Sequence, residues 1–294
     1  MPTPPIAKNF DDATEISADR FYFVVPLSWR VKRMLNIGSE KCLREAIKLV
    51  NEFALDVVSS RRKEISKNGG LPEREDLLSR FMAPLLNNTD ELGIDYQSES
   101  EKQSSDTMDT FLKEMVVSFL LAGRDMTSAA LTWIFWLLSS HQRVEEAIHT
   151  EILNILSKRL ETPPADEEGI CFSFELKDMQ YLHAALCESM RLYPPMPGDA
   201  KLASKDDILP DGFCVRKGWN MSYSSYAMGR MENIWGSDCL LFKPERWLKN
   251  GEFVGENPYK FPIFHVGPRV CLGKEMAFIQ MKSIVASIIH SFHL

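Results

Sequence analysis

The sequence is poor in the features that would place it in several protein classes. Its six cysteines, 42, 171, 187, 214, 239 and 271, form no Cys-x-x-Cys pair. That leaves neither a zinc knuckle nor a disulfide framework, and reads as reduced intracellular thiols. Basic residues are in the minority, 34 Lys and Arg against 41 Asp and Glu. A net charge of −7 lacks the basic footprint of a nucleic-acid binder, so no nucleic-acid partner is expected. Met1-Pro-Thr-Pro-Pro5 offers no basic region followed by an apolar run, so no signal peptide is expected. No internal repeat recurs. The histidines, 141, 149, 183, 265, 290 and 293, show no metal-ligand spacing and receive no role. Met115 to Leu138 is long enough to span a bilayer. Arg124 and Asp125 stand at its centre, however, where each charge costs about 2.5–3.5 kcal/mol, so it reads as a buried helix.

What remains is the composition of a folded globular protein, 45% hydrophobic and 26% charged. Leu43, Ile47, Val50, Ala54 and Val57-Val58 recur at helical spacing, and Asn68-Gly69-Gly70 stops the pattern, which predicts a helix over 38–67. A shorter amphipathic piece is expected over 76–86 and a polar, acidic connection over 87–107. A central helix over about 108–140, apolar nearly all round from Phe111 to Ser140, is expected to be packed on every side. Helices over 144–160 and 176–192 flank a loop at 162–169. Short strands are expected around 208–215 and 219–223, then irregular chain to about Pro268 and a last helix from about Leu272. The fold class is mainly α with a small β region, and 1–294 reads as one domain.

The strongest motif is Phe264-x-x-Gly267-x-Arg269-x-Cys271-x-Gly273, in a loop over 261–273 just before an apolar helical pattern. Glycines at 267 and 273 allow a tight turn and close approach of backbone to a flat ligand. A cysteine at the start of a helix meets unpaired N–H groups and the positive end of the dipole, which favour thiolate. Arg269 can pair with an anionic group. Taken alone, a free cysteine is most often a small buried hydrophobe; the ten-residue pattern outweighs that reading.

On these residues the chain resembles the cytochrome P-450 superfamily, whose haem-binding signature it matches at every fixed position. The resemblance implies haem b with Cys271 as axial ligand to iron, and Phe264, Gly267, Arg269 and Gly273 around the cofactor, Arg269 on a propionate. Glu188-Ser-Met-Arg191 and Phe242-Lys-Pro244-Glu245-Arg246-Trp247 precede the Cys loop in the order of that family. Glu188, Arg191 and Arg246 then take structural roles behind the haem. Ala122-Gly123-Arg124-Asp125 is similar to the oxygen-binding stretch, with Ala122 and Gly123 leaving room for a diatomic, and Asp125 and Thr127 in catalytic roles. Most members place a Thr where this chain has Met126, and Met donates no hydrogen bond. Thr127 lies about 100° further round the helix.

Tyr226-Ala-Met-Gly-Arg-Met-Glu-Asn-Ile-Trp235-Gly, Asp206-Asp-Ile-Leu-Pro-Asp-Gly212, Cys271-Leu-Gly-Lys-Glu-Met276, Phe10-Asp-Asp-Ala-Thr14 and Leu35-Asn-Ile-Gly-Ser39 resemble the plant fatty-acid ω-hydroxylase branch. That branch implies oxidation of the terminal carbon of a long-chain fatty acid or a related acid such as a jasmonate conjugate. Electrons come from NADPH through a reductase, with O2 as co-substrate. Met196 and Pro197 are expected near substrate. The family location is the endoplasmic reticulum membrane, cytosolic face. Measured against the family, the P-450 fold is expected to be incomplete, truncated at both ends, and a catalytically impaired or inactive fragment is the alternative.

Overall fold

A computed structural model describes residues 5–20, 26–67, 78, 79, 82, 101–161 and 175–293. The chain divides into two compact units, 1–122 and 123–294. In the first, α1 (Pro5–Asp19) and α2 (Pro26–Leu35) pack on α3 (Gly38–Lys67). The sequence pattern predicts α3 within its observed bounds and misses the two helices before it. Leu43, Ala46, Val50, Ala54 and Val58 form its buried stripe, three and four residues apart as one helical face requires. Ile47, expected on that stripe, is exposed; Ala46 continues the line and residue 47 lies about 100° round from it. Arg20 reaches the buried Glu40 through Nε at 3.0 Å and Nη2 at 2.6 Å.

The central helix α4 (Glu101–Ser139) begins earlier than expected, taking up the last turns of the polar stretch over 87–107. Residues 87–100, the loop at 162–169 and most of the 76–86 piece lie outside the described residues. The expectation that α4 is packed on every side is not met. Leu120, Leu121 and Met126, in its middle turns, are exposed. The reason is positional: buried contacts of α4 cluster around Leu112 in the first unit and from Ala130 onward in the second, which leaves the middle turns in neither core. No helix among the described residues is long and apolar enough to cross a membrane.

The second unit is built from the end of α4, α5 (Gln142–Glu161), α6 (Gln180–Leu192), the short α7 (Ser225–Met228) and α8 (Glu232–Trp235), and α9 (Lys274–Ser291). Ile134, Leu138, Ile148, Ile152, Leu182, Leu186, Val285 and Trp247 are central to its core. The helix expected from Leu176 is broken. A 3₁₀ turn covers Glu175–Lys177, Met179 has ψ 81, and α6 proper starts at Gln180. Glu151 of α5 receives the N–H groups of Tyr181 and Leu182 at 2.7 and 2.9 Å, filling donors that open a helix.

Three small antiparallel pairs complete the unit. β1 (Asp199–Leu202) pairs with β4 (Asn220–Tyr223), and β2 (Asp207–Ile208) with β3 (Cys214–Val215). β5 (Leu248–Lys249) and β6 (Glu252–Phe253) form a hairpin through Asn250-Gly251, both at positive φ. That dipeptide is the strongest short hairpin signal in any sequence, and it lies in the stretch expected to be irregular. The hairpin sets Phe253 parallel to the Trp247 ring at 6.1 Å.

Candidate active site

α6 delivers Glu188 and Arg191, one turn apart, into the core of the second unit, where both side chains are wholly buried. The carboxylate accepts five donors. Arg191 Nη2, Arg246 Nε and the Lys243 N–H reach Oε1 at 2.8, 3.1 and 3.1 Å. Arg191 Nε and Trp247 Nε1 reach Oε2 at 2.8 and 2.9 Å. Arg191 spends its remaining donors on the carbonyls of Gly229, Cys239 and Leu241. Arg246 also meets Asp238 Oδ1 at 3.0 Å, and Lys243 and Arg246 together hold the Asp238 carboxyl down to about 2. The approach is so close that a Cβ on Gly229 would stand 2.1 Å from the Arg191 carbonyl oxygen. This closed network pins the segment from Gly229 to Trp247, and with it the chain leading to the Cys loop, against α6.

The Cys loop consists of two 3₁₀ turns, Pro262–Phe264 and Gly267–Arg269, before α9. The Cys271 N–H donates to the Phe264 carbonyl at 2.8 Å, tying the ends of the loop together. Phe264 packs its ring 5.4 Å from Phe278 of α9. Gly267 has φ +71, a left-handed turn that suits glycine. The helix proper starts at Lys274, so Cys271 lies three residues upstream rather than in its first turn. Gly273 caps α9 with no side-chain hydrogen bond. Cys271 and Arg269 are both exposed.

A groove of about 440 Å³ opens between α9 and the second-unit part of α4. Gly123, Thr127, Leu131 and Phe135 line one wall, Gln280 and Ile284 the other. Thr127 is half-buried in this wall, whereas Met126 is exposed and not part of the lining. Asp125 Oδ1 stands 3.8 Å from Arg124 Nε. Ala122 closes the first unit and is exposed. Cys271 is not part of the lining either, so the structure joins Gly123 and Thr127 to α9 through Gln280 and Ile284, which no motif flags. Met196 and Pro197 lie apart from the groove lining; their carbonyls accept Ser225 Oγ at 2.6 Å and Ser224 Oγ at 3.1 Å.

The surroundings of Cys271 suit a flat apolar cofactor with anionic edges. Val270 and Leu272 on either side of it, and Met276 and Ile279 in the first turns of α9, are exposed, Leu272 to 91%; exposed apolar groups in such numbers suit a surface that something apolar covers. A Cβ built on Gly267 or Gly123 meets no atom within 4 Å, so there is room beside both. Arg269 is an exposed cation that can pair with a carboxylate. Among the described residues no cluster of three His, Cys, Asp or Glu is arranged to hold a bare metal ion.

A family model described as cytochrome P-450 matches residues 4–294. Cytochrome P-450 94A2 of Vicia sativa is 46% identical, over 100% of this chain and 52% of its own length. Cytochrome P-450 94A1 of the same plant is 47% identical over 97% and 50%. Cytochrome P-450 86B1 of Arabidopsis thaliana is 45% identical over 99% and 50%. The chain spans about half the length of these curated relatives.

Proposed function

The chain belongs to the cytochrome P-450 family, and from that premise we propose that it is the haem-thiolate part of a monooxygenase. The reaction inserts one oxygen atom of O2 into an aliphatic substrate, read as the terminal carbon of a long-chain fatty acid or a related acid. The match over residues 4–294 supports reading the chain as one partial domain of that fold.

Haem b, when bound, supplies thiolate-ligated iron whose electron density favours O–O cleavage. Cys271 would hold the iron through its thiolate, Arg269 would pair with a propionate, and Phe264, Gly267 and Gly273 would shape the loop around the cofactor. Gly123, with Ala122 before it, leaves space on the oxygen side. Asp125 carries protons inward and Thr127 presents a hydroxyl to the groove. NADPH, through a reductase, supplies electrons, and the whole protein works at the cytosolic face of the endoplasmic reticulum membrane. The observation that carries this reading is the exposed apolar rim of Val270, Leu272 and Met276 around a single cysteine.

The test is spectroscopic. Purified chain supplied with haem, reduced and exposed to carbon monoxide, shows the red-shifted Soret band of a thiolate-ligated haem, and Cys271→Ala abolishes it. Failure of the unaltered chain to take up haem overturns the reading.

The groove geometry adds a second expectation. Met126 has no hydroxyl to give and is not part of the lining, where Thr127, Ser128 and Thr132 supply the hydroxyls. Product formed per NADPH consumed is therefore low, with the balance released as hydrogen peroxide. Met126→Thr raises that ratio severalfold; an unchanged ratio refutes the assignment.

A further inference from the structure

His265 stands in the Cys loop with φ +60 and ψ −179, a backbone region that is essentially glycine's alone. A histidine persists there only where its surroundings over-determine it. Those surroundings come from a different part of the unit. β1 and β4 set Asp199 directly opposite Tyr223, and residues opposite one another on antiparallel strands project from one face. From that face the Tyr223 hydroxyl reaches Nδ1 of His265 at 3.1 Å. Asp199 Oδ2 lies 3.7 Å from the same nitrogen. Asp199 is itself fixed by Lys201 Nζ at 2.6 Å and the Ala200 N–H at 2.8 Å.

The consequence runs along the backbone. The His265 N–H donates to the Pro262 carbonyl at 3.2 Å, and the carbonyl one residue before it, that of Phe264, receives the Cys271 N–H. Rotation at 265 therefore moves the acceptor that fixes the backbone of Cys271. Burial and the charge of Asp199 push the ionisation of Tyr223 up, so the phenol keeps its proton in the bond it shares with Nδ1.

We propose that Tyr223 and Asp199 clasp His265 and thereby hold the strained turn that sets Cys271, which makes all three positioning residues for the thiolate. The proposal rests on the reading of Cys271 as the haem ligand. Nothing in the six-histidine spacing signals it, because the partners are 42 residues apart in the chain.

Hydrogen exchange of the full chain, read by mass spectrometry with and without haem, tests it. Tyr223→Phe removes one hydroxyl and speeds exchange of the Cys271 amide by about tenfold, the effect of losing one hydrogen bond, while amides of α6 around Leu186 keep their protection. In the haem-loaded protein the same variant moves part of the carbon monoxide spectrum from the thiolate band to the band of haem without thiolate. Asp199→Asn gives a smaller change in the same direction. His265→Asn, which keeps a hydrogen-bonding group near the place of Nδ1, retains more of both readouts than His265→Leu, which loses both. In the His265→Leu background Tyr223→Phe adds nothing, as a shared contact requires. Unchanged exchange in Tyr223→Phe, or full additivity with His265→Leu, overturns the proposal. Absence of the thiolate band in the unaltered chain overturns the haem reading instead, and exchange in the haem-free chain still decides the clasp.

Discussion

Glu188 and Cys271 are the two chemically loaded points of the second unit, and they are finished to different degrees. Around Glu188 every acceptor site is filled and both charged side chains are sealed from water. Around Cys271 the neighbouring apolar groups face outward and Arg269 is exposed. A buried charge has to be satisfied by the polypeptide itself, because an unpaired ion in a low-dielectric interior is intolerable. A cofactor site has the opposite requirement, since whatever the chain fills the ligand cannot. The stability of this protein is thus vested in the first region and its proposed chemistry in the second.

Removing the charge at Glu188 separates the two most forcefully. Glu188→Gln leaves Arg191 and part of Arg246 as buried cations without a counter-charge, and breaking a buried pair in that way costs about 3–5 kcal/mol. Denaturant unfolding of the haem-free chain reads the loss as a lower midpoint. Cys271→Ala in the same experiment leaves the midpoint where it was, because an exposed thiol contributes no buried contact. Equal losses in the two variants would erase the distinction between the regions.

The two regions were also unequally legible. The order Glu188, Arg191, Arg246, Cys271 is visible along the chain, and so is α3, whose stripe and Asn-Gly-Gly stop coincide. The convergence of Lys243 N–H and Trp247 on Glu188 is not visible, because it depends on a backbone path fixed by Gly229 pressing on Arg191. β1 escapes notice since Asp-Ala-Lys-Leu carries no strand signature and only its pairing with β4 makes it a strand. Gln280 and Ile284 join the groove through the packing of α9 against α4, a long-range fact that no local pattern encodes. The exposed middle of α4 failed for a related reason: periodicity shows which residues are apolar and says nothing of whether a partner reaches them.

Acid sharpens the contrast from another side. His183 stacks on Phe278 at 4.2 Å within the core behind the Cys loop. Burial, with Lys282 and Lys274 nearby, lowers it from 6.5 to about 3. In the unfolded chain it binds a proton at pH 5 and in the folded chain it does not, so stability present above pH 6.5 is lost as pH falls. The loss between pH 7 and pH 5 is about 2 kcal/mol. Thermal unfolding followed over that range shows the slope, and His183→Phe, which keeps the ring stack, flattens it. A slope unchanged in that variant would assign the acid sensitivity elsewhere.

The smallest effect is the most discriminating. Leu272 is almost fully exposed, and surface substitutions away from special features stay within about 0.5 kcal/mol. Leu272→Ser therefore leaves unfolding of the haem-free chain unaltered. If the rim around Cys271 is open because haem closes it, the same substitution removes apolar surface that only the loaded protein buries. Haem is then lost to a scavenging apo-globin faster from Leu272→Ser than from the unaltered chain, by a factor that follows from burying one leucine side chain, about 1.5–3 kcal/mol or some ten- to hundredfold at the limit. A variant with equal stability and equal haem retention would make the exposed rim an ordinary surface.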